Sequence, residues 1–347
     1  MSRINRLVLE CALALALVVV SLGAYVRLSD AGLGCPDWPG CYGQLVVPEQ
    51  APDLAAARNA FPDRPVEAPK AWKEMIHRYA ASGLGLAILA LVAMAWRRRA
   101  ERTPGLEIAL LAVVCAQGLL GMLTVTRLLK PVIVTGHLLG GLSTLALLAV
   151  LWLRERPAPS RRPAPAWLRS LALAALAAVF VQIALGGWVS SNYAAAACPD
   201  FPTCQGRWWP ELDTHHAFTL DRELGATASG ALLPGTALTA IHWAHRLFAG
   251  VVLGLVGTLG VALMGRVGWR GEGLAVLVAL SLQLALGIGN VLLHWPLPLA
   301  VAHNTGAALL LCATLAATLR LFTQGTVQTA RPARATGLFA PPPQPLR

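Results

Sequence analysis

Charge is what this chain has least of. Of its 347 residues only 13% are Asp, Glu, Lys or Arg, against 56% hydrophobic. With a mean hydropathy of +0.59 this excludes an ordinary soluble domain and places the chain among integral membrane proteins. Acid is scarcer than base, 17 residues against 28, for a formal net charge of +11. Such an excess would suit nucleic acid, but its placement excludes that partner. Arg3, Arg6, Arg97, Arg98, Arg99, Arg102, Arg154, Arg156, Arg161, Arg162, Arg169, Arg266, Arg270, Arg320, Arg331 and Arg334 all fall at one set of span ends. Under the positive-inside rule that side is the cytoplasm, and both termini are expected there. The first apolar run lacks a convincing cleavage site and is too long for a removable signal peptide, so it is expected to stay as a span.

Runs of the length needed to cross a bilayer occur eight times, at about 7–27, 72–96, 105–126, 132–153, 168–190, 236–264, 271–293 and 298–321. The fold class is therefore all-α integral membrane. Two long segments, 28–71 and 191–235, fall outside. They carry Cys35-Pro-Asp-Trp-Pro-Gly-Cys41 and Cys198-Pro-Asp-Phe-Pro-Thr-Cys204, the same C-P-D-aromatic-P-x-C pattern displaced by 163 residues. Gly23-Ala24-Tyr25-Val26 and Gly186-Gly187-Trp188-Val189 keep that displacement, and Gln117 to Gly121 answers Gln283 to Gly287. The chain is an internal tandem repeat. Residues 1–153 and 168–321 form two halves of four spans each, joined by a Pro- and Arg-rich linker at 154–167. Four spans is an even number, so the halves share one orientation and are expected as two four-helix bundles about a pseudo-two-fold axis along the membrane normal. Small residues such as Gly83, Gly85, Gly140, Gly141, Gly250 and Gly254 are expected to let helices or a flat ligand approach. The tail 322–347 has no periodicity and is expected to be disordered.

Four of the eight histidines follow the repeat. His77 and His137 stand near the outer ends of spans two and four, 60 residues apart; His245 and His303 do the same in the second half, 58 apart. About five residues into its span, His77 is expected roughly 7–8 Å deep by helix rise. Two histidines at equal depth on non-adjacent helices of a bundle can bind one iron from both faces of a haem, which predicts one haem per half. A lone histidine near a helix end is more often a satisfied interfacial residue; four in register are not well explained that way. His215, His216 and His294 have no repeat partner and are read as solvated.

The doubled element Glu74-Met75-Ile76-His77-Arg78 and His242-Trp243-Ala244-His245-Arg246 differs at its first position. Glu74, three residues before His77, shares its helix face and is expected to point toward the same haem as an acid–base group; the bland reading is a favourable acid at a helix N-terminus. His242 is either a haem-contacting or supporting group, or simply what replaced the acid. Arg78 and Arg246 fit haem propionates, or snorkel as interfacial residues. Both cysteine pairs lie where disulfides persist. Each is either a redox-active loop or a structural staple. Cys11, Cys115 and Cys312 are read as packing residues.

Gly23 to Cys41, the E-x-x-H-R element and the paired histidines together resemble bacterial haem A synthase, and the resemblance runs to about residue 322. It implies oxidation of the C8 methyl of haem O to a formyl group by successive hydroxylations, for cytochrome oxidase biogenesis. By position it implies that His77 and His137 hold the substrate haem, that Glu74 is catalytic, and that His245 and His303 hold a haem B relay. The outer pair Cys35 and Cys41 would have a redox or haem-transfer role. Haem O synthase, the protohaem farnesyltransferase, is the expected haem donor, with membrane lipid around the chain; the electron donor is not legible and self-association stays open. The other readings are a di-haem quinol-oxidising electron carrier, a haem transporter or chaperone, and a disulfide oxidoreductase. The carrier gives Glu74 no role, and the oxidoreductase leaves the four histidines unexplained.

Overall fold

The computed structural model describes residues 3–100, 103–156 and 164–323. The described residues form ten α-helices: α1 (Arg3–Leu28), α2 (Ala51–Ala60), α3 (Ala68–Arg97), α4 (Gly105–Thr126), α5 (Pro131–Arg154), α6 (Ala166–Ser191), α7 (Thr214–Ala217), α8 (Gly235–Met264), α9 (Arg270–Leu292) and α10 (Leu297–Thr323). All but α2 and α7 are long and apolar enough to cross a membrane. This is the all-α, eight-span class expected from the hydropathy pattern, with no strand among the described residues. Most of the expected linker and the tail from residue 324 onward lie outside the described residues.

Two span boundaries differ from the apolar runs in an instructive way. Helix α3 begins at Ala68, with proline in its first turn, where the missing amide costs no helical hydrogen bond. The polar first turn that carries Lys70 and Lys73 is helical although it is not apolar. His77 is therefore the tenth residue of its helix, roughly 14 Å from the start rather than 7–8 Å. The segment 28–71 also holds a helix of its own, α2, which hydropathy does not reveal.

Helices α1, α3, α4 and α5 close as one ring of neighbours, and α6, α8, α9 and α10 close as a second. The rings meet where α1 and α5 pack on α6 and α10. Lipid tails are as apolar as leucine, so what holds such rings together is close packing and interhelical hydrogen bonding. The packing comes from a continuous cluster that includes Leu142, Leu145 and Leu148 of α5, Leu168 and Ala172 of α6, and Leu310 and Leu311 of α10. Bonds between the rings are few but pointed. Arg27 Nη2 donates to the Ser190 carbonyl at 2.7 Å, and the Tyr193 hydroxyl lies 3.0 Å from Asp30 Oδ1. In both pairs the partners are 163 residues apart, the displacement of the repeat itself. Residues that touch their own repeat equivalents are those that stand at a two-fold axis.

At the loop end, disulfides join Cys35 to Cys41 and Cys198 to Cys204. Each loop is completed by groups outside the cysteine pattern. Tyr42 and Gly43 take positive φ of 55° and 76°; Gln205 and Gly206 take 56° and 72°. An aspartate holds each turn: Asp37 accepts from the amides of Tyr42 and Gly43 at 2.7 Å each, and Asp200 from Gln205 and Gly206 at 2.6 and 2.9 Å. The full motif is C-P-D-aromatic-P-x-C-x-G, with aspartate and glycine as structural members.

Two predictions follow from these contacts. Close helix approach occurs at Gly273, where an added Cβ would stand 2.7 Å from the Met264 amide and 2.8 Å from the Gly260 carbonyl; Gly250 has no atom within 4 Å. Gly273→Ala is expected to lower stability by about 1–3 kcal/mol, through backbone overlap, and Gly250→Ala to leave it unchanged or raised. Thermal unfolding of the detergent-solubilised variants measures the difference. For Asp200, burial raises the pKa, but hydrogen bonds from Thr203, Gly206 and Gln205 outweigh it and leave the carboxyl below its usual 3.8. A depressed native pKa means the turn's carboxylate contribution is complete above 3.8 and is lost as pH falls through the lower native value. Hydrogen exchange at the Gln205 and Gly206 amides should accelerate over that acid range in the native protein. In Asp200→Ala it should be fast at every pH.

Candidate functional site

A histidine inside a membrane helix needs room that a neighbouring helix must give up. At each of the four registered histidines that room is a glycine. An ideal Cβ on Gly23 would stand 3.1 Å from the His77 Cε1, and one on Gly121 3.4 Å from that of His137. In the second half the same distances are 3.0 Å from Gly186 to His245 and 2.9 Å from Gly287 to His303. Helix α1 thus seats the histidine of α3 and α4 that of α5; α6 seats that of α8 and α9 that of α10. Each imidazole lies flat against backbone where any side chain would collide.

The pairing within each half agrees with the sequence pattern. His77 and His137 are close enough to interact electrostatically, as are His245 and His303. The polar groups beside the rings are the carbonyls of Val19, Gln117, Gln182 and Gln283, each four residues before its glycine. For His77, His137 and His303 the geometry falls short of a hydrogen bond, and Nδ1 is buried with no partner. An unsatisfied imidazole nitrogen in apolar surroundings is costly, and ligation of a metal relieves that cost. Two facing imidazoles per ring, each with small residues at its back, fit an axially ligated haem in each half.

Glu74 lies elsewhere than its spacing to His77 implied. Its carboxylate is buried at 4% exposure. Oε2 accepts from the Cys35 amide at 3.0 Å, and Oε1 from Arg78 Nη2 at 2.5 Å. The acid therefore joins helix α3 to the disulfide loop. Arg78 extends the same joint, donating to the carbonyls of Pro39 at 3.2 Å and of Gly40. In the second half Arg246 donates to the carbonyls of Cys198, Asp200 and Thr203 at 2.7, 2.7 and 3.0 Å, and its Nε donates to His242 Nε2 at 3.1 Å. Glu74 and His242 are thus equivalent: each holds the arginine that clamps its loop. Only the carboxylate also takes a loop amide directly.

The remaining candidates separate cleanly. His216 pairs with Asp213 at 2.6 Å on the short helix α7, and His294 sits in a turn with φ of 59°. Neither belongs to a histidine pair. Cys11 and Cys115 are exposed on their helices and Cys312 is half-buried. Sequence reasoning saw Gly23, Gly186, Gly121 and Gly287 as marks of the repeat without giving them a task. Their displacements of 163 and 166 residues, beside 168 and 166 for the histidines, were the signal that tied each glycine to its ring.

Comparison with known proteins gives these sites a family. Residues 6–315 match the family model COX15-CtaA, described as cytochrome oxidase assembly protein. A protein of Shewanella oneidensis named Heme A synthase is 44% identical over 308 residues, covering 87% of this chain and 92% of its own. Proteins of the same name from Caulobacter vibrioides and Methylobacterium radiotolerans are each 30% identical, over 341 and 333 residues. They cover 89% and 88% of this chain, and 93% and 87% of their own. A match over nearly the whole chain, with both histidine pairs inside it, means that this protein belongs to the COX15-CtaA family of cytochrome oxidase assembly proteins.

Proposed function

We propose that this chain is a haem-dependent membrane oxidoreductase that converts haem O to haem A for cytochrome oxidase, oxidising the C8 methyl group to a formyl group by successive hydroxylations and loss of water. The observation that carries the reading is the pair of facing, glycine-backed histidines in each four-helix ring. His77 and His137 would hold the substrate haem O, and His245 and His303 a resident haem B. When bound, haem B supplies one-electron transfer. The protein's own part is to fix imidazole orientation, exclude water and place a proton-handling group. Glu74 is that group in this reading. Its two oxygens are held by Arg78 and the Cys35 amide, so the carboxylate that takes or returns a proton is fixed in place rather than free to swing.

His242 in this reading serves the haem B half by supporting Arg246. Arg78 and Arg246 hold the loops over the haem ends, and the propionate role is left to the donors that the loops do not use. The arginine-rich span ends and both termini are placed in the bacterial cytoplasm, and the cysteine loops outside, on the positive-inside rule. Haem O synthase is the proposed donor of substrate, because direct transfer spares a very apolar haem from free diffusion. Self-association remains a proposal of the same standing.

The test is chromatography of haems extracted from membranes of a haem-O-producing host, with and without this protein. Haem A, or its hydroxylated precursor, should appear only with the protein. Haem B at one per chain with no new haem would instead favour the electron-carrier reading. Glu74→Ala is expected to cut haem A formation by roughly a hundredfold while haem B content persists. His245→Ala should lose the resident haem B; full haem B content in that variant would refute the assignment of the second half.

A further inference from the structure

The four histidine seats are not equivalent. One helical turn before the seating glycine stands Gln117 at His137, Gln182 at His245 and Gln283 at His303. Gln182 Nε2 lies 3.1 Å from Nδ1 and 3.4 Å from Nε2 of His245, and 3.1 Å from its carbonyl. Gln283 Nε2 lies 3.4 Å from Nε2 of His303. Gln117 folds over Gly140, one turn along from His137, where a Cβ would stand 1.7 Å from its Nε2. At His77 the equivalent position, by the same displacement of 163 residues, is Val19. A valine side chain has no donor or acceptor, so nothing but its backbone carbonyl is offered to that ring.

Resting on the haem reading above, we propose that Val19 makes His77 the one exchangeable ligand of the four. At the other three seats an amide stands beside the imidazole or the turn that carries it and restrains it. At His77 the ring is held by its contact with Gly23 and by ligation alone. A reactive iron needs an open position, whereas an electron relay needs both of its ligands in place. The asymmetry places the opening on the α3 side of the substrate haem. That is the helix on which Glu74 stands three residues before His77, so the vacated position and the proton-handling carboxylate share one element. Gln117, Gln182 and Gln283 are positioning residues in this scheme, acting through their histidines.

Carbon monoxide binding to the reduced protein reads ligand release directly, because the gas takes only an iron position that a ligand has left. The protein is purified from a haem-O-producing host, and both haems are quantified by extraction. Native protein should bind carbon monoxide at the substrate haem and not at haem B. Val19→Gln should weaken that binding roughly threefold to tenfold, the worth of one added hydrogen bond, with haem content retained. Gln182→Val should create carbon monoxide binding at haem B. Should Val19→Gln fail to fold or to load haem, Gln182→Val decides: a haem B still closed to the gas overturns the proposal. So does a loaded Val19→Gln that binds carbon monoxide as the native protein does. Native protein free of haem after extraction would refute the haem reading itself, a separate outcome that takes the proposal down with it.

Discussion

The contact on which the rest of the molecule depends is an imidazole laid against a glycine of the next helix. An ionisable ring inside a membrane-crossing bundle must face the interior, and the interior has no room unless a neighbour gives up its side chain. Gly23, Gly121, Gly186 and Gly287 do so, at 2.9–3.4 Å from the ring carbons. Each contact joins two consecutive long helices of a ring: α1 to α3, α4 to α5, α6 to α8 and α9 to α10. The chemistry-bearing residues are therefore also the joints of the fold. A substitution at one of these glycines disturbs the helix pair and the histidine together, so stability alone cannot separate its effects.

Duplication followed by local divergence accounts for the rest of the site. Both halves keep the disulfide loop, its aspartate-held turn and the arginine that clamps it. What differs is small and lies close to the histidines: Glu74 against His242, and Val19 against Gln182. A carboxylate can bind an arginine and a loop amide at the same time; a neutral imidazole has one acceptor nitrogen to offer. The first half thus ties its disulfide loop to the haem-bearing helix more directly than the second. Each difference exchanges a group that can hold a proton or a hydrogen bond, and both fall in the same pair of seats, which is where two otherwise equal halves would be expected to part in function.

Much of this was legible in the sequence because its signals are long or repeated. Eight apolar runs give eight helices, and the repeat places the four histidines before any coordinates exist. Three things were not legible. The start of α3 hides in a polar turn with proline at its head, so hydropathy placed His77 too near the helix end. Asp37 and Asp200 look like ordinary loop acids until a left-handed turn two residues beyond the second cysteine shows which amides they hold. The direction of Glu74 was misjudged because spacing along a helix fixes a face only coarsely. A carboxylate between two histidine-ward and loop-ward options goes to the partners that satisfy both of its oxygens, here Arg78 and the Cys35 amide.

That last point bears on how the disulfide loop and the histidine pair relate. The Cys35 amide that binds Glu74 belongs to a disulfide cysteine, and Arg78, bound to the same carboxylate, reaches the carbonyls of Pro39 and Gly40 inside the loop that the disulfide closes. Gly34, just before Cys35, lies so near the first turn of α3 that a Cβ there would stand 2.6 Å from the Lys70 backbone. Loop and helix are therefore locked over a short stretch by backbone contact, a buried carboxylate and a guanidinium acting together. Removing any one leaves the others with unmet bonds in a buried setting, which is costly. The disulfide loop is part of the wall that fixes Glu74, and the position of that carboxylate relative to His77 is set as much by residues 34–41 as by helix α3.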